Sequence, residues 1–301
     1  MTLLDAATAG DRRALGRVVS AVEDDTSAGR EALAATYPRG GGAWLTGVTG
    51  APGAGKSTLV DLFVAQARPS SRVAVVAVDP SSPFTGGALL GDRVRMQRHT
   101  EDDGVFIRSM ANRGHLGGIA EATPRVVALL DGLGFDEIIV ETVGVGQAEV
   151  DVAASTDSVV VVVTPGWGDA IQAAKAGLIE IGDVFVVNKA DRPGTEQAVK
   201  ELIGALELGP RRAWLPPVIE TIATEGVGIA ELGEVVNAHR SHLVESGERE
   251  QRRRNRVLAE VESALRARLR RTTGDVVPAA IIDQVLSRRI DPWAAAGEVR
   301  L

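Results

Sequence analysis

Residues 47 to 58 read Gly47-Val48-Thr49-Gly50-Ala51-Pro52-Gly53-Ala54-Gly55-Lys56-Ser57-Thr58, and no other stretch restricts the fold as severely. Gly50, Gly55, Lys56 and Ser57 satisfy G-x-x-x-x-G-K-[ST], in which small residues let consecutive backbone N–H groups wrap a phosphate while the lysine reaches its terminal oxygens. A glycine-rich turn of no chemical meaning has the same composition, so the flanks decide. Ala43 to Thr49 is a short apolar run that reads as a strand, and Ser57 to Gln66 carries Leu59, Leu62 and Phe63 at helical spacing. The loop therefore ends on a helix N-terminus, whose dipole favours anions. Ala51, Pro52, Gly53, Ala54 and the hydroxyls of Ser57 and Thr58 complete the predicted phosphate cradle.

From there the chain alternates. The runs Val73 to Val78, Val105 to Ile107, Glu137 to Val140, Ser158 to Val163, Val184 to Val187 and Val218 to Ile222 are separated by helix-length segments. That pattern predicts an α/β fold: a mostly parallel sheet of about seven strands, covered by helices on both faces, with the ligand at the strands' carboxyl ends. Residues 1 to 40 read as a helical extension, because Ala14, Leu15, Val18, Val19 and Val22 recur at helical spacing behind Asp11, a candidate N-cap. The breaker Tyr37-Pro38-Arg39-Gly40-Gly41-Gly42 leads into residues 41 to 237, the predicted P-loop domain. Residues 238 to 301 are predicted to form a helical arm: Arg249 to Arg271 carries Leu258, Val261, Leu265 and Leu269 on one face, and Pro278 opens a further helix to Arg289. An amphipathic arm outside the sheet is a natural dimerisation element, although Arg252-Arg253-Arg254 also reads as a solvated charged face.

Composition narrows the function classes. With no cysteine and four histidines, a disulfide framework and a thiolate metal site are excluded. A net charge of −7 argues against nucleic-acid binding. No stretch approaches the roughly 20 apolar residues of a membrane span, and Asp5 and Asp11 spoil a signal or transit pattern, so the expectation is a cytoplasmic protein with no membrane partner. The four lysines are Lys56, Lys175, Lys189 and Lys200, three of them in or near phosphate and base motifs.

Asn188-Lys189-Ala190-Asp191 follows the run Val184 to Val187 and matches N-K-x-D. The carboxylate of Asp191 can accept from guanine N1–H and the exocyclic amine, Asn188 can meet the ring acceptors, and the stem of Lys189 can cover the base. Adenine lacks those two donors, so the motif selects GTP and GDP over ATP. Thr221-Ile222-Ala223, closing the last run, is expected to lend a backbone N–H to the guanine carbonyl. Magnesium takes one or two carboxylates beside phosphate oxygens and waters, and the hydroxyl of Ser57 is the usual protein ligand in a P-loop. Asp79 and Glu141 close predicted core strands at the phosphate end, Asp92 lies in Thr85 to Arg93, and Gly144 could donate its N–H to a γ-phosphate. Each of these three acids could instead cap a helix or sit on the surface.

The P-loop, Asp79-Pro80-Ser81-Ser82, Gly91-Asp92-Arg93, Arg113-Gly114-His115-Leu116-Gly117-Gly118, Glu141-Thr142-Val143-Gly144-Val145-Gly146-Gln147 and Asn188-Lys189-Ala190-Asp191 together resemble the MeaB/ArgK GTPases, relatives of the human methylmalonic aciduria type A protein. The resemblance implies a homodimeric GTPase of the SIMIBI class that gates adenosylcobalamin loading and protects methylmalonyl-CoA mutase. It also implies a magnesium shell of Ser57, Asp79, Asp92 and Glu141, a catalytic group of Lys56, Asp92, Glu141 and Gly144, and switch loops around 80 to 95, 144 to 155 and 164 to 175, the third with Asp169 and Lys175. Two departures sharpen this. Glu141 replaces the Asp of D-x-x-G, with Gln147 three residues past Gly144 rather than beside it, so no motif identifies the residue that positions water. Ala51 stands where partitioning ATPases carry a signature lysine. A nickel metallochaperone GTPase, a P-loop kinase of a transport system and a scaffold that binds nucleotide without turnover are the competing readings.

Overall fold

In a computed structural model, described at residues 2–80, 97–99, 101–112, 122–142, 147–166, 172–210, 212–273, 278–292 and 294–295, the apolar runs form one sheet. Its strands are β1 (Trp44–Gly50), β2 (Val73–Pro80), β3 (Val105–Asn112), β4 (Glu137–Thr142), β5 (Ser158–Val163), β6 (Val184–Asn188) and β7 (Val218–Thr221). The order is β3-β2-β4-β1-β5-β6-β7, and every pairing is parallel. β1 lies in the middle, between β4 and β5, so the loop that follows it leaves the sheet at its centre. β3 runs five residues past the apolar run that announced it. Among the described residues it pairs with β2 alone, at the edge of the sheet; its half-buried Arg108 is absorbed by Glu23 and Ser20 of the helix Arg12–Glu23, and Met110 continues the core, fully buried.

Period-two alternation sorts the strands between the two faces. Val159, Val161 and Val163 pack with Phe185, Val187 and Leu202 on one side, while Val160 and Val162 pack with Leu59, Val64 and Leu232 on the other. Leu45, Val76, Ile138 and Val140 join Leu15, Val18, Val19 and Val22 from the N-terminal helix, whose N-cap Asp11 accepts from the N–H groups of Arg13 and Ala14. Both predicted signals of that extension, the apolar stripe and the cap, are thus realised. The helix Lys56–Ala67 lies under the sheet and buries Leu59, Val60 and Val64 against Leu232 and Val236 of the helix Ile229–Glu245.

The chain divides into two compact units, Met1–Arg252 and Arg253–Leu301, with the division inside the helix Glu248–Thr273. The second unit holds the rest of that helix and the helix Ala279–Leu286, behind Pro278 at its N-cap. Leu258, Val261 and Leu265, spaced along one helical face, are 58, 52 and 53% exposed. Among the described residues no helix is long and apolar enough to cross a membrane.

The amino ends of the strands carry a buried polar network. Asp183, just before β6, accepts two bonds from Arg252 (2.8 and 2.9 Å) and one from the N–H of Val159 (2.9 Å). Ser158 Oγ meets Nδ1 of the fully buried His239 at 2.8 Å. Burial holds that imidazole below the usual histidine range, against the opposing pull of Asp183. Arg252→Ala strands a carboxylate only 8% exposed; we expect a loss of about 3 kcal/mol, read by urea denaturation, because removing one partner of a largely buried pair leaves the other uncompensated.

Candidate functional site

The phosphate loop is built by backbone geometry that side chains would obstruct. Gly50 has φ +130°, and a Cβ there would run into the carbonyl oxygen of Val162 in β5. Gly55, the N-cap of the helix Lys56–Ala67, has φ +91°, and a Cβ there would strike the amide nitrogen of Asn188. Gly50→Ala is therefore expected to disrupt the β1–β5 junction, lowering the melting temperature by several degrees and GTP affinity by about 10-fold or more in nucleotide titrations, since left-handed strain and a backbone clash act together.

Lys56 is buried, and its Nζ donates to the carbonyls of Gly50 (2.7 Å) and Ala51 (3.0 Å), so its charge is held on the loop itself. Ser57, also buried, donates from Oγ to Oε1 of Glu141 at 2.7 Å. Thr142 Oγ1 donates to Thr49 Oγ1 at 2.9 Å one residue further along, locking the ends of β1 and β4 together. The register explains the meeting. β1 and β4 are neighbours with Val48 level with Glu141, which brings this acid, the penultimate residue of β4, to the first turn after the P-loop.

Serine hydroxyl and carboxylate form an all-oxygen donor pair at the P-loop, the chemistry a magnesium ion requires, so Ser57 and Glu141 fit that ion. β2 pairs with β4 through Ala77 and Glu141, so the backbone of Asp79 stands two residues beyond, at the same edge of the sheet. Asp92, Gly144 and Asp169 lie outside the described residues, as does nearly all of the expected switch loop 80 to 95; of the other two, residues 147–155 and 172–175 are helical and not loop.

The guanine motif is joined to the phosphate loop by direct bonds. Asn188, 2% exposed at the end of β6, donates from Nδ2 to the carbonyl of Ala54 (2.8 Å), and its Oδ1 accepts from Thr221 Oγ1 (3.0 Å) and the N–H of Ala223 (3.1 Å). One amide N–H remains for a ligand. Lys189, at φ +62°, sends its Nζ to the carbonyl of Gly53 (2.7 Å), so its aliphatic stem spans from one loop to the other. Asp191 is exposed. The N–H groups of Ile222 and Ala223, expected to face a guanine carbonyl, are bonded inside the protein instead, to Val227 O and Asn188 Oδ1. The three segments 50–58, 188–191 and 221–223 thus meet at the carboxyl edge of β1, β6 and β7.

Sequence reasoning missed the second function of Asn188, as the tie between these segments; the signal was present only in the small residues Gly55 and Ala54 opposite it. It also missed Asp61, one turn beyond Ser57. This carboxylate is buried and pairs with Arg98, while Nε2 of the buried His99 lies 3.1 Å from the Asp61 carbonyl, so that Asp61 fastens residues 97–99 to the P-loop helix.

A parallel sheet with a P-loop leaving its central strand and N-K-x-D closing a strand two positions away defines a P-loop NTPase with a guanine-type base loop. Comparison with known proteins agrees and is more specific. The family model described as "Methylmalonyl Co-A mutase-associated GTPase MeaB" matches residues 13–275. "Putative GTPase PH0274" of Pyrococcus horikoshii is 48% identical, over 98% of this chain and 95% of its own. "GTPase ArgK" of Escherichia coli is 37% identical over 80% and 76%. The crystal structure of a protein titled "LAO/AO transport system kinase" superposes with a TM-score of 0.74 at 26% identity, covering 98% of this chain and 94% of that one. The chain belongs to the MeaB family and is a GTPase.

Proposed function

We propose that this GTPase acts as a metabolic chaperone, gating adenosylcobalamin loading into methylmalonyl-CoA mutase and protecting that enzyme. The family's own description, association with the mutase, supports the partner. The observation that carries the nucleotide half is Asn188, bonded at once to the P-loop and to the segment 221–223, so that base and phosphate recognition form one rigid unit. In this reading Asp191 accepts from guanine N1–H and its amine, the Lys189 stem lies along the base, and the backbone of residues 50–58 with Lys56 holds the phosphates. Ser57 and Glu141, joined by Asp79 and Asp92, hold Mg2+, which when bound neutralises phosphate charge. Gly144 directs its N–H at the γ-phosphate, and Lys56 steadies the charge that develops there. Segments that respond to the γ-phosphate then report the nucleotide state to the mutase.

The protein works as a homodimer through the second unit, where Leu258, Val261 and Leu265 present an apolar stripe that a monomer leaves in water. Sedimentation of Leu258→Glu/Leu265→Glu tests this; a mass unchanged from wild type removes the arm from the interface.

The deciding experiment measures GTP turnover with and without methylmalonyl-CoA mutase, together with co-purification. Stimulation of at least about 10-fold is expected, below the roughly 10³- to 10⁵-fold that an arginine supplied by a partner gives nucleotide hydrolases. Unchanged turnover and no complex would sink the mutase assignment while leaving the GTPase intact. Transfer of labelled phosphate from GTP to a protein acceptor would instead favour a kinase.

A further inference from the structure

A cavity of about 510 Å3 opens at the amino ends of β5 and β6, on the edge of the sheet opposite the P-loop. It lies wholly within residues 1–252. Ala153 and Ile181 line it from the last turns of the helices Gln147–Ser155 and Gln172–Ile181, and Pro210, Ala213 and Trp214 from the connection into β7. Its charged lining consists of Glu180, Asp183, Glu248, Arg212 and Arg252.

Both arginines are committed within the wall. Arg212 donates to the carbonyls of Ile179 (3.0 Å), Glu180 (2.6 Å) and Gly182 (3.1 Å). Arg252 is divided among Asp183 (2.8 and 2.9 Å), the carbonyl of Asp157 (2.9 Å) and Oε1 of Glu248 (3.0 Å). On the acidic side, Asp183 is matched, whereas the carboxylate of Glu180 and the second oxygen of Glu248 enter none of these bonds. Two helix C-termini add their negative partial charge. The protein itself answers that field with a guanidinium, since Arg212 caps the carbonyls at the end of the helix Gln172–Ile181. Trp214 contributes an aromatic surface, its indole N–H fixed on the carbonyl of Asp183 (2.8 Å) and its ring packed beside His239 and His242 at 5.0 and 5.4 Å.

A cavity lined by apolar side chains, surplus acceptors and an indole suits a cation carried on an aliphatic stem. We propose that this cavity receives an arginine or lysine side chain of a partner polypeptide. The polypeptide source follows from the flanking chain. Leu208, two residues before Pro210, and Leu215, directly after Trp214, are 91 and 70% exposed, and a free diamine would leave both uncovered. The site stands at the far ends of two helices whose first turns follow residues 143–146 and 167–171 in the chain. It is independent of the mutase assignment.

The test uses the full chain with GDP against an array of N-acetylated pentapeptides bearing arginine, lysine, citrulline or glutamate at the centre between leucine, alanine or serine flanks. Positives are then titrated calorimetrically, with free agmatine in parallel. Basic centres with apolar flanks should bind, and the neutral citrulline counterpart should bind about 10-fold more weakly for loss of the ion–carboxylate and cation–π terms. Glu180→Gln, whose side chain holds no other bond among the described residues, should weaken binding several-fold at unchanged melting temperature and unchanged basal GTP hydrolysis, with Trp214→Leu as the second variant. Absence of basic-centred binders, equal affinity for the citrulline peptide, or indifference to Glu180→Gln overturns the proposal. Agmatine binding as tightly as the best peptide overturns the polypeptide source.

Discussion

Lys56→Ala is expected to lower affinity for GTP and GDP by about 100-fold or more, because a charge-assisted contact to phosphate is worth about 1.5–3 kcal/mol per bond and one ammonium makes several. Fluorescent-nucleotide titration reads the loss directly. Lys56 also supports the loop, since its Nζ holds the carbonyls of Gly50 and Ala51. A thermal melt must therefore accompany the titration. A folded variant with near-normal affinity would show that the backbone cradle and the helix N-terminus suffice, and the lysine would lose its assigned role. Lys56→Arg is not a conservative control: the planar fork replaces a compact charge in a buried position.

The second large effect concerns the base. Asp191→Asn should weaken GTP by about 100-fold or more while leaving ATP, already poorly bound, nearly unchanged, because a site built to pair guanine's two donors is then left mismatched. The same variant should gain affinity for xanthosine triphosphate: xanthine keeps N1–H but carries a carbonyl in place of the amine, and an asparagine amide can accept from the first and donate to the second. Competition titrations with the three nucleotides resolve this. Equal losses of GTP and ATP would mean that Asp191 acts on loop stability and not on the base. That outcome has a ready structural cause to exclude, because the neighbouring Asn188 holds three loops at once. Asp191 itself is exposed, so its replacement should leave the melting temperature unchanged.

Much of the architecture was legible locally. The strand runs were apolar and bounded, and a parallel sheet buried on both faces leaves no polar alternation to confuse them. Their number and approximate bounds followed from the chain. β3 was the instructive exception. Its second half, Arg108 to Asn112, breaks the apolar run with Arg108, Ser109 and Asn112, and at the sheet edge Arg108 finds Glu23 and Ser20, partners about 85 residues away in the chain. At the site, Gly50 to Ser57 and Asn188 to Asp191 were legible because backbone anion binding and guanine recognition each demand particular residue types at fixed local spacing. The bond from Ser57 to Glu141 was not, since it depends on which strand pairs with β1, and strand order is a property of the whole sheet.

By itself the sequence determined that this protein binds a nucleotide phosphate, that its base loop is of the guanine type and that its sheet is parallel, because those properties reside in short segments whose chemistry is local. Only the tertiary structure decided how the segments cooperate. It set β1 beside β4, so that Ser57 meets Glu141, and it turned Asn188 into a clamp on Ala54 and Ala223. It also gathered Asp183, Arg252, Glu180 and Trp214 around a cavity at the opposite edge. The reason is physical: these contacts join residues 31 to 134 positions apart, and their geometry follows from the packing of the sheet, which no window along the chain contains.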